Sequence, residues 1–168
     1  MLTMNWDEYF IRMSRLVALR SKDSSKKVGT VIVDLKSKTI LATGYNGFPR
    51  GLDDKDPAMH ARPGKYEETV HAEANCVANA ARAGVSIRGA TAYMESSPCR
   101  RCAGLLINAG VARVVACIED PFQNQFAVDK EVKDAPNWIK DRQLAIDRLR
   151  KAGVIVRFVD VPRKDFTL

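Results

Sequence analysis

The sequence predicts an α/β fold in which a mixed sheet is covered by helices on both faces. Three observations predict it. An amphipathic helical pattern opens the chain, a hairpin pattern follows, and from residue 70 onward helical and strand patterns alternate, with Gly84, Gly110 and Gly153 just past three helical segments. A hairpin is antiparallel, whereas strands separated by helices pair in parallel, so one sheet holding both is mixed.

The first helix is read from Trp6, Tyr9, Phe10, Met13, Leu16 and Val17, which recur at helical spacing while Arg12, Arg15 and Arg20 fall on other faces. Asn5 and Glu8 stand three apart, as a capping pair does. Residues 28–33 and 39–43 are β-branched runs joined by a polar turn through Lys36, Ser37 and Lys38, which predicts the hairpin. Residues 44–68 carry Gly44, Gly47, Pro49, Gly51, Pro57, Pro63 and Gly64, and are expected to form a long functional loop. A helix over 70–83, a strand over 90–94, a helix over 100–109 and a strand over 111–118 follow. After a polar connection come a helix over 138–151 and a final strand over 154–159. No repeat or second-domain boundary is visible, so residues 1–168 are expected to form a single domain.

No apolar run reaches the length that crosses a bilayer, and residues 1–6 lack the features of a secretory signal. A cytoplasmic protein without a membrane partner is expected. Its four cysteines are then thiols rather than disulfides, with Cys76 and Cys117 inert inside apolar stretches. The formal charge of +7 is spread along the chain with no basic tract or reading helix, which suits a phosphorylated small molecule better than duplex nucleic acid.

Two short motifs carry the chemistry. His71-Ala72-Glu73 opens the second helix, and Pro98-Cys99-Arg100-Arg101-Cys102 opens the third. A catalytic zinc takes three protein ligands and keeps a fourth position open for water, and His71, Cys99 and Cys102 supply that count. Both motifs fall at helix N-termini, whose partial positive charge favours thiolates. Glu73 is then a proton shuttle rather than a ligand, taking a proton from the activated water and delivering it to a leaving amine. His60, in the long loop, is read as a surface residue. H-x-E with P-C-x-x-C is the established signature of zinc nucleobase deaminases.

With Gly44-Tyr45-Asn46-Gly47 upstream, these residues make the chain resemble the cytidine and deoxycytidylate deaminase superfamily, and within it the deoxycytidylate branch. The resemblance also covers Trp6-Asp7-Glu8-Tyr9-Phe10, Arg20-Ser21-Lys22-Asp23, Val28-Gly29 and Ile107-Asn108-Ala109-Gly110-Val111. It implies a cytidine-deaminase-like three-layer α/β/α sandwich with a five-stranded mixed sheet, its last two strands parallel. It implies one zinc per subunit, hydrolysis of dCMP to dUMP and ammonia that feeds dTMP synthesis, Asn46 on the sugar hydroxyl, and the backbone at Ala72 on the pyrimidine carbonyl. Basic residues near Lys22, Lys26 or Lys27 would meet the 5′-phosphate, with Arg50 a candidate for phosphate or effector. A homo-oligomer, hexamer or dimer, and deoxynucleoside triphosphate effectors are also implied. Residues 119–125 and the loop 53–66 depart from the family pattern.

Other readings are a deaminase of another nucleotide, a modified cytosine or an RNA base, a catalytically idle nucleotide-binding zinc module, and a CxxC redox protein. The Gly44–Gly47 turn argues against RNA. Glu73 argues against an idle module, since it adds nothing to coordination, and a redox protein would leave His71 and Glu73 unexplained.

Overall fold

The structure is a computed structural model that describes residues 4–61, 64–117 and 138–162, with the side chains of 138 and 139 left aside. Helix α1 (Trp6–Ala18) begins at Asn5, whose side chain accepts the amide of Glu8 at 2.9 Å. Strands β1 (Gly29–Asp34) and β2 (Thr39–Tyr45) form the antiparallel hairpin. A 3-10 turn (Pro57–His60) and a short helix α2 (Lys65–Glu68) precede helix α3 (Ala72–Ala83). Strand β3 (Thr91–Met94), helix α4 (Arg100–Asn108), strand β4 (Arg113–Cys117), helix α5 (Trp138–Lys151) and strand β5 (Ile155–Val159) complete the order.

The five strands lie in the order β2-β1-β3-β4-β5. β1 pairs antiparallel with both β2 and β3, while β3–β4 and β4–β5 are parallel, so the sheet is mixed. Strand alternation sends Val31, Val33, Tyr93, Val115 and Cys117 to one face, where they pack on Phe10 and Ile11 of α1. Ile32, Ala92, Met94, Val114 and Ala116 go to the other, against Cys76 and Ala80 of α3, Ala103 and Leu106 of α4, and Ala145 and Leu149 of α5. The result is the three-layer α/β/α sandwich with a five-stranded mixed sheet. No described helix is long and apolar enough to cross a membrane.

Two differences from expectation bear on function. The stretch 44–68 is not one irregular loop: β2 runs on to Tyr45, and the 3-10 turn and α2 lie within it. The local preference of its glycines and prolines yields at Tyr45, because the edge of the hairpin continues to offer pairing partners. The second long helix begins at Ala72 rather than at residue 70, because Val70 is held in an extended bridge with Gly47 (N–H to O at 2.9 and 3.1 Å).

Gly44 explains how α3 comes close to the sheet. A Cβ there would run into the backbone of Ala72 and Cys76, so only glycine lets the first turn of α3 lie directly on β2. Asn75 and Asn79 secure that approach by donating to the carbonyls of Tyr45 and Thr43, each at 2.8 Å.

Candidate active site

The N-termini of α3 and α4 meet beyond the carboxyl end of β3. His71 is the N-cap of α3 and Cys99 the N-cap of α4, both in extended backbone conformation. Cys102 is in the first turn of α4. Among the described residues these three form the one group of histidine, cysteine and acidic side chains able to hold a metal ion, with ligand atoms all within 4.8 Å of one another. His71 Nδ1 lies 3.4 Å from Cys99 Sγ and 3.5 Å from Cys102 Sγ. Tetrahedral zinc with bonds of about 2.3 Å to sulfur and about 2.0 Å to nitrogen places such donors about 3.6 Å apart, so the donor set fits this ion in spacing and in kind.

The electrostatics agree with a cation site. The Cys99 thiol is pushed down to about 4, first by the hydrogen bond from Cys102 and then by His71, and so ionises readily. Cys102 is pushed up by its bond to Cys99 and by burial, because two thiolates side by side repel without a cation between them. The His71 imidazole is raised, chiefly by the bond to Cys99. Glu73 is 5% exposed, and burial raises its carboxyl against the opposing pull of His71. A raised carboxyl is closer to the neutral range in which a proton shuttle works best.

A cavity of about 100 Å³ opens onto these groups, walled by His71, Glu73 and Cys99 at the metal end. Of the residues singled out in the sequence, Ala72, Asn46 and Lys26 also line it. Lys22 and Arg50 do not. They line a neighbouring cavity of about 210 Å³ together with Arg20, Gly47 and His60. There Lys22 Nζ pairs with Asp54 at 2.6 Å and Arg50 donates to Asn79 at 2.7 Å. His60 is half-buried rather than a bare surface residue: its ring packs edge-on against Phe48 and its Nε2 lies 3.0 Å from the carbonyl of Asp54.

Residues 4–118 match the family profile described as the cytidine and deoxycytidylate deaminase zinc-binding region. A probable deoxycytidylate deaminase of Drosophila melanogaster is 34% identical over 174 residues, covering 96% of this chain and 82% of the fly protein. The chain belongs to this family. The deoxycytidylate deaminase of Homo sapiens is 36% identical over 117 residues, covering 67% of the chain and 64% of the human protein, so the match spans just under two thirds of that relative's length. Among solved structures, apo dCMP deaminase from the cyanophage S-TIM5 is 25% identical with a TM-score of 0.67, covering 94% of this chain and 100% of the phage chain. The same enzyme in complex with dCMP and dUMP gives a TM-score of 0.68 at 24% identity.

Within this deaminase family framework, several cavity residues escaped the sequence reading: Asp23, Ser25, Lys65, Ser96, Ser97 and Arg142. Asp23 with serines at 24 and 25 has the composition of a side-chain-capped turn, and it forms one: Oδ1 accepts the amides of Ser25 and Lys26 at 2.8 and 3.0 Å. That signal was available. Lys65 and Arg142 carry none, since a single Lys or Arg among 27 cannot be told from a solvated one until the fold buries it. The departures at residues 119–125 lie outside the described residues, as do positions 62 and 63 of the loop 53–66.

Proposed function

We propose that this chain is a zinc-dependent hydrolytic deaminase that converts dCMP to dUMP and ammonia, supplying the uracil nucleotide from which dTMP is made. The observation that carries the reading is that His71 and Cys99, grouped with Cys102 as three metal ligands, wall one cavity together with Glu73, a carboxylate that is not needed to complete them. Bound zinc supplies Lewis acidity, which brings the pKa of a water towards neutrality.

The chain's own residues do the rest. His71, Cys99 and Cys102 hold the ion, and Glu73 accepts a proton on its carboxylate and passes it to the departing amine. Burial of Glu73 keeps bulk water from competing for that proton. Ala72 offers backbone at the start of α3 for the pyrimidine carbonyl, and Asn46 and Lys26 occupy the cavity wall that would face sugar and phosphate. The Asn46 amide also holds the backbone of Val28 and Lys26, so this side chain shapes the wall as well as touching the nucleotide.

The same reading takes residues 1–168 as a single deaminase domain working in the cytoplasm as a homo-oligomer. The exposed Trp6, Tyr9, Leu16 and Leu19 of α1 and its end support self-association. The second cavity, with Arg20, Lys22, Arg50 and His60, supports an anionic effector such as a deoxynucleoside triphosphate. Ammonia release from a panel of cytosine bases, nucleosides and mono-, di- and triphosphates by the zinc-loaded protein tests the proposal. Turnover of dCMP above the others is expected, and release from none of them overturns it.

A further inference from the structure

Lys65 is a lysine placed where lysines are rarely found. It is 8% exposed, sits at the start of α2 and lines the catalytic cavity. Its ammonium bonds both oxygens of Asp23, at 3.0 and 2.9 Å, and Ser25 Oγ at 2.5 Å. A buried ion pair is a poor stabiliser, because the loss of hydration offsets most of the attraction and an apolar pair of the same volume does as well. A pair of this kind facing a cavity therefore points to a charged ligand.

Asp23 does not depend on Lys65. It also accepts the amides of Ser25 and Lys26 and the Ser25 hydroxyl at 2.8 Å, so its carboxylate stays satisfied if the ammonium is shared with another anion. Position within the cavity indicates which anion. The reacting carbon must lie at the end walled by His71, Glu73 and Cys99, where Arg142 is also placed, its charge acting on Glu73 and Cys99; away from that end the cavity offers Asn46, the 23–28 segment and the 65–69 segment to the rest of the nucleotide. Among the described lysines, Lys22 is 61% exposed and lines the other cavity, Lys26 lines this one, and the buried Lys65 stands with Asp23 at the wall common to both.

We propose that Lys65 is the specificity-determining cation of the site, shifting from Asp23 and Ser25 towards the 5′-phosphate and so making the enzyme prefer the nucleotide to the nucleoside. This rests on the deaminase reading above. Asp23 sets the strength of that preference by neutralising Lys65 when the cavity is empty.

The test compares kcat/KM for dCMP and for deoxycytidine in the zinc-loaded parent, Lys65→Met, Lys65→Arg and Asp23→Asn proteins. Hydrogen bonds between charged groups predict that Lys65→Met lowers the dCMP-to-deoxycytidine ratio about 10- to 100-fold while deoxycytidine changes by less than about threefold. Lys65→Arg keeps most of the ratio. Asp23→Asn retains an acceptor for the turn amides but removes the competing charge, so the ratio rises. A Lys65→Met protein in which both substrates fall by the same factor, or in which dCMP is unaffected, overturns the proposal. Should Lys65→Met fail to fold, a fall of the ratio in Asp23→Asn overturns it equally, since a purely structural pair predicts that sign. A parent that deaminates both compounds equally well overturns the role of Lys65 alone, whereas a parent that deaminates neither overturns the deaminase reading with it.

Discussion

The side-chain oxygen of Asn46 accepts the backbone amide of Val28 at 2.8 Å, tying the turn after β2 to the segment that enters β1. The same side chain donates to the carbonyl of Lys26 at 2.8 Å and lies 3.5 Å from Asp23. One residue thus fixes the course of the wall that carries Ser25 and Lys26. Asn46→Ala is expected to raise KM for dCMP and also to lower stability by about 1–3 kcal/mol, since the partners left behind are partly buried. Zinc content stays that of the parent. Kinetics, metal content and thermal unfolding on one preparation check this, and unchanged kinetics with lowered stability would assign Asn46 to the scaffold alone.

Glu73→Gln preserves size and shape but removes the proton acceptor. Turnover of dCMP is expected to fall about 100- to 10,000-fold, towards the upper end because one carboxylate serves both the water and the leaving amine. Zinc content and binding of dUMP persist. The measurement is ammonia release at saturating dCMP, and a variant as fast as its parent would remove Glu73 from the mechanism.

His71→Ala and Cys99→Ser each remove one of three ligands and are expected to lose zinc and activity together. Cys76→Ser serves as the contrasting case. Burial pushes that thiol up to about 12, it packs in the core under β1, and its substitution should disturb stability while leaving one zinc bound. Metal analysis of the three proteins decides the assignment.

The Asp23–Lys65 pair predicts a pH dependence of stability. Burial pushes the Asp23 carboxyl up, but Lys65 and the Ser25 and Lys26 amides outweigh it and hold the group below its usual value of 3.8. A carboxylate whose pKa is depressed by folding stabilises fully above its unfolded value and loses that contribution as pH falls through the folded one. Acidification below about pH 5 should therefore destabilise the parent more steeply than a protein carrying Asp23→Asn and Lys65→Met together. Denaturant midpoints of both proteins across that range test it, and the comparison cancels the acid loss of metal that they share.

The alternation of helix and strand was legible because each element buries one face, and burial imposes a period of 3.6 or 2 on the apolar residues. α1, the hairpin, β3, α4 and β5 follow from that rule to within a few residues. The period says nothing about residues 44–68, where few positions face the core. There Val70 and Gly47 exchange two backbone bonds across 23 residues, and no local pattern announces such a pairing. Lys22 and Arg50 were singled out as basic residues near the motifs, yet chain proximity did not reveal that they line the neighbouring cavity, where Lys22 pairs with Asp54 and Arg50 bonds Asn79.

By itself the sequence determined the chemistry available to this protein: one histidine and two thiols at helix starts and a carboxylate two residues from the histidine. These are statements about residue type and short spacing, which the covalent chain fixes directly. Only the tertiary structure decided that two helix ends 28 residues apart bring His71 Nδ1 to within 3.4 Å of Cys99 Sγ, and that Lys65 rather than Lys22 is buried at the cavity with Asp23. Such meetings depend on how the sheet orders its strands and on which charges find partners once water is removed, and neither quantity is local to any stretch of the chain.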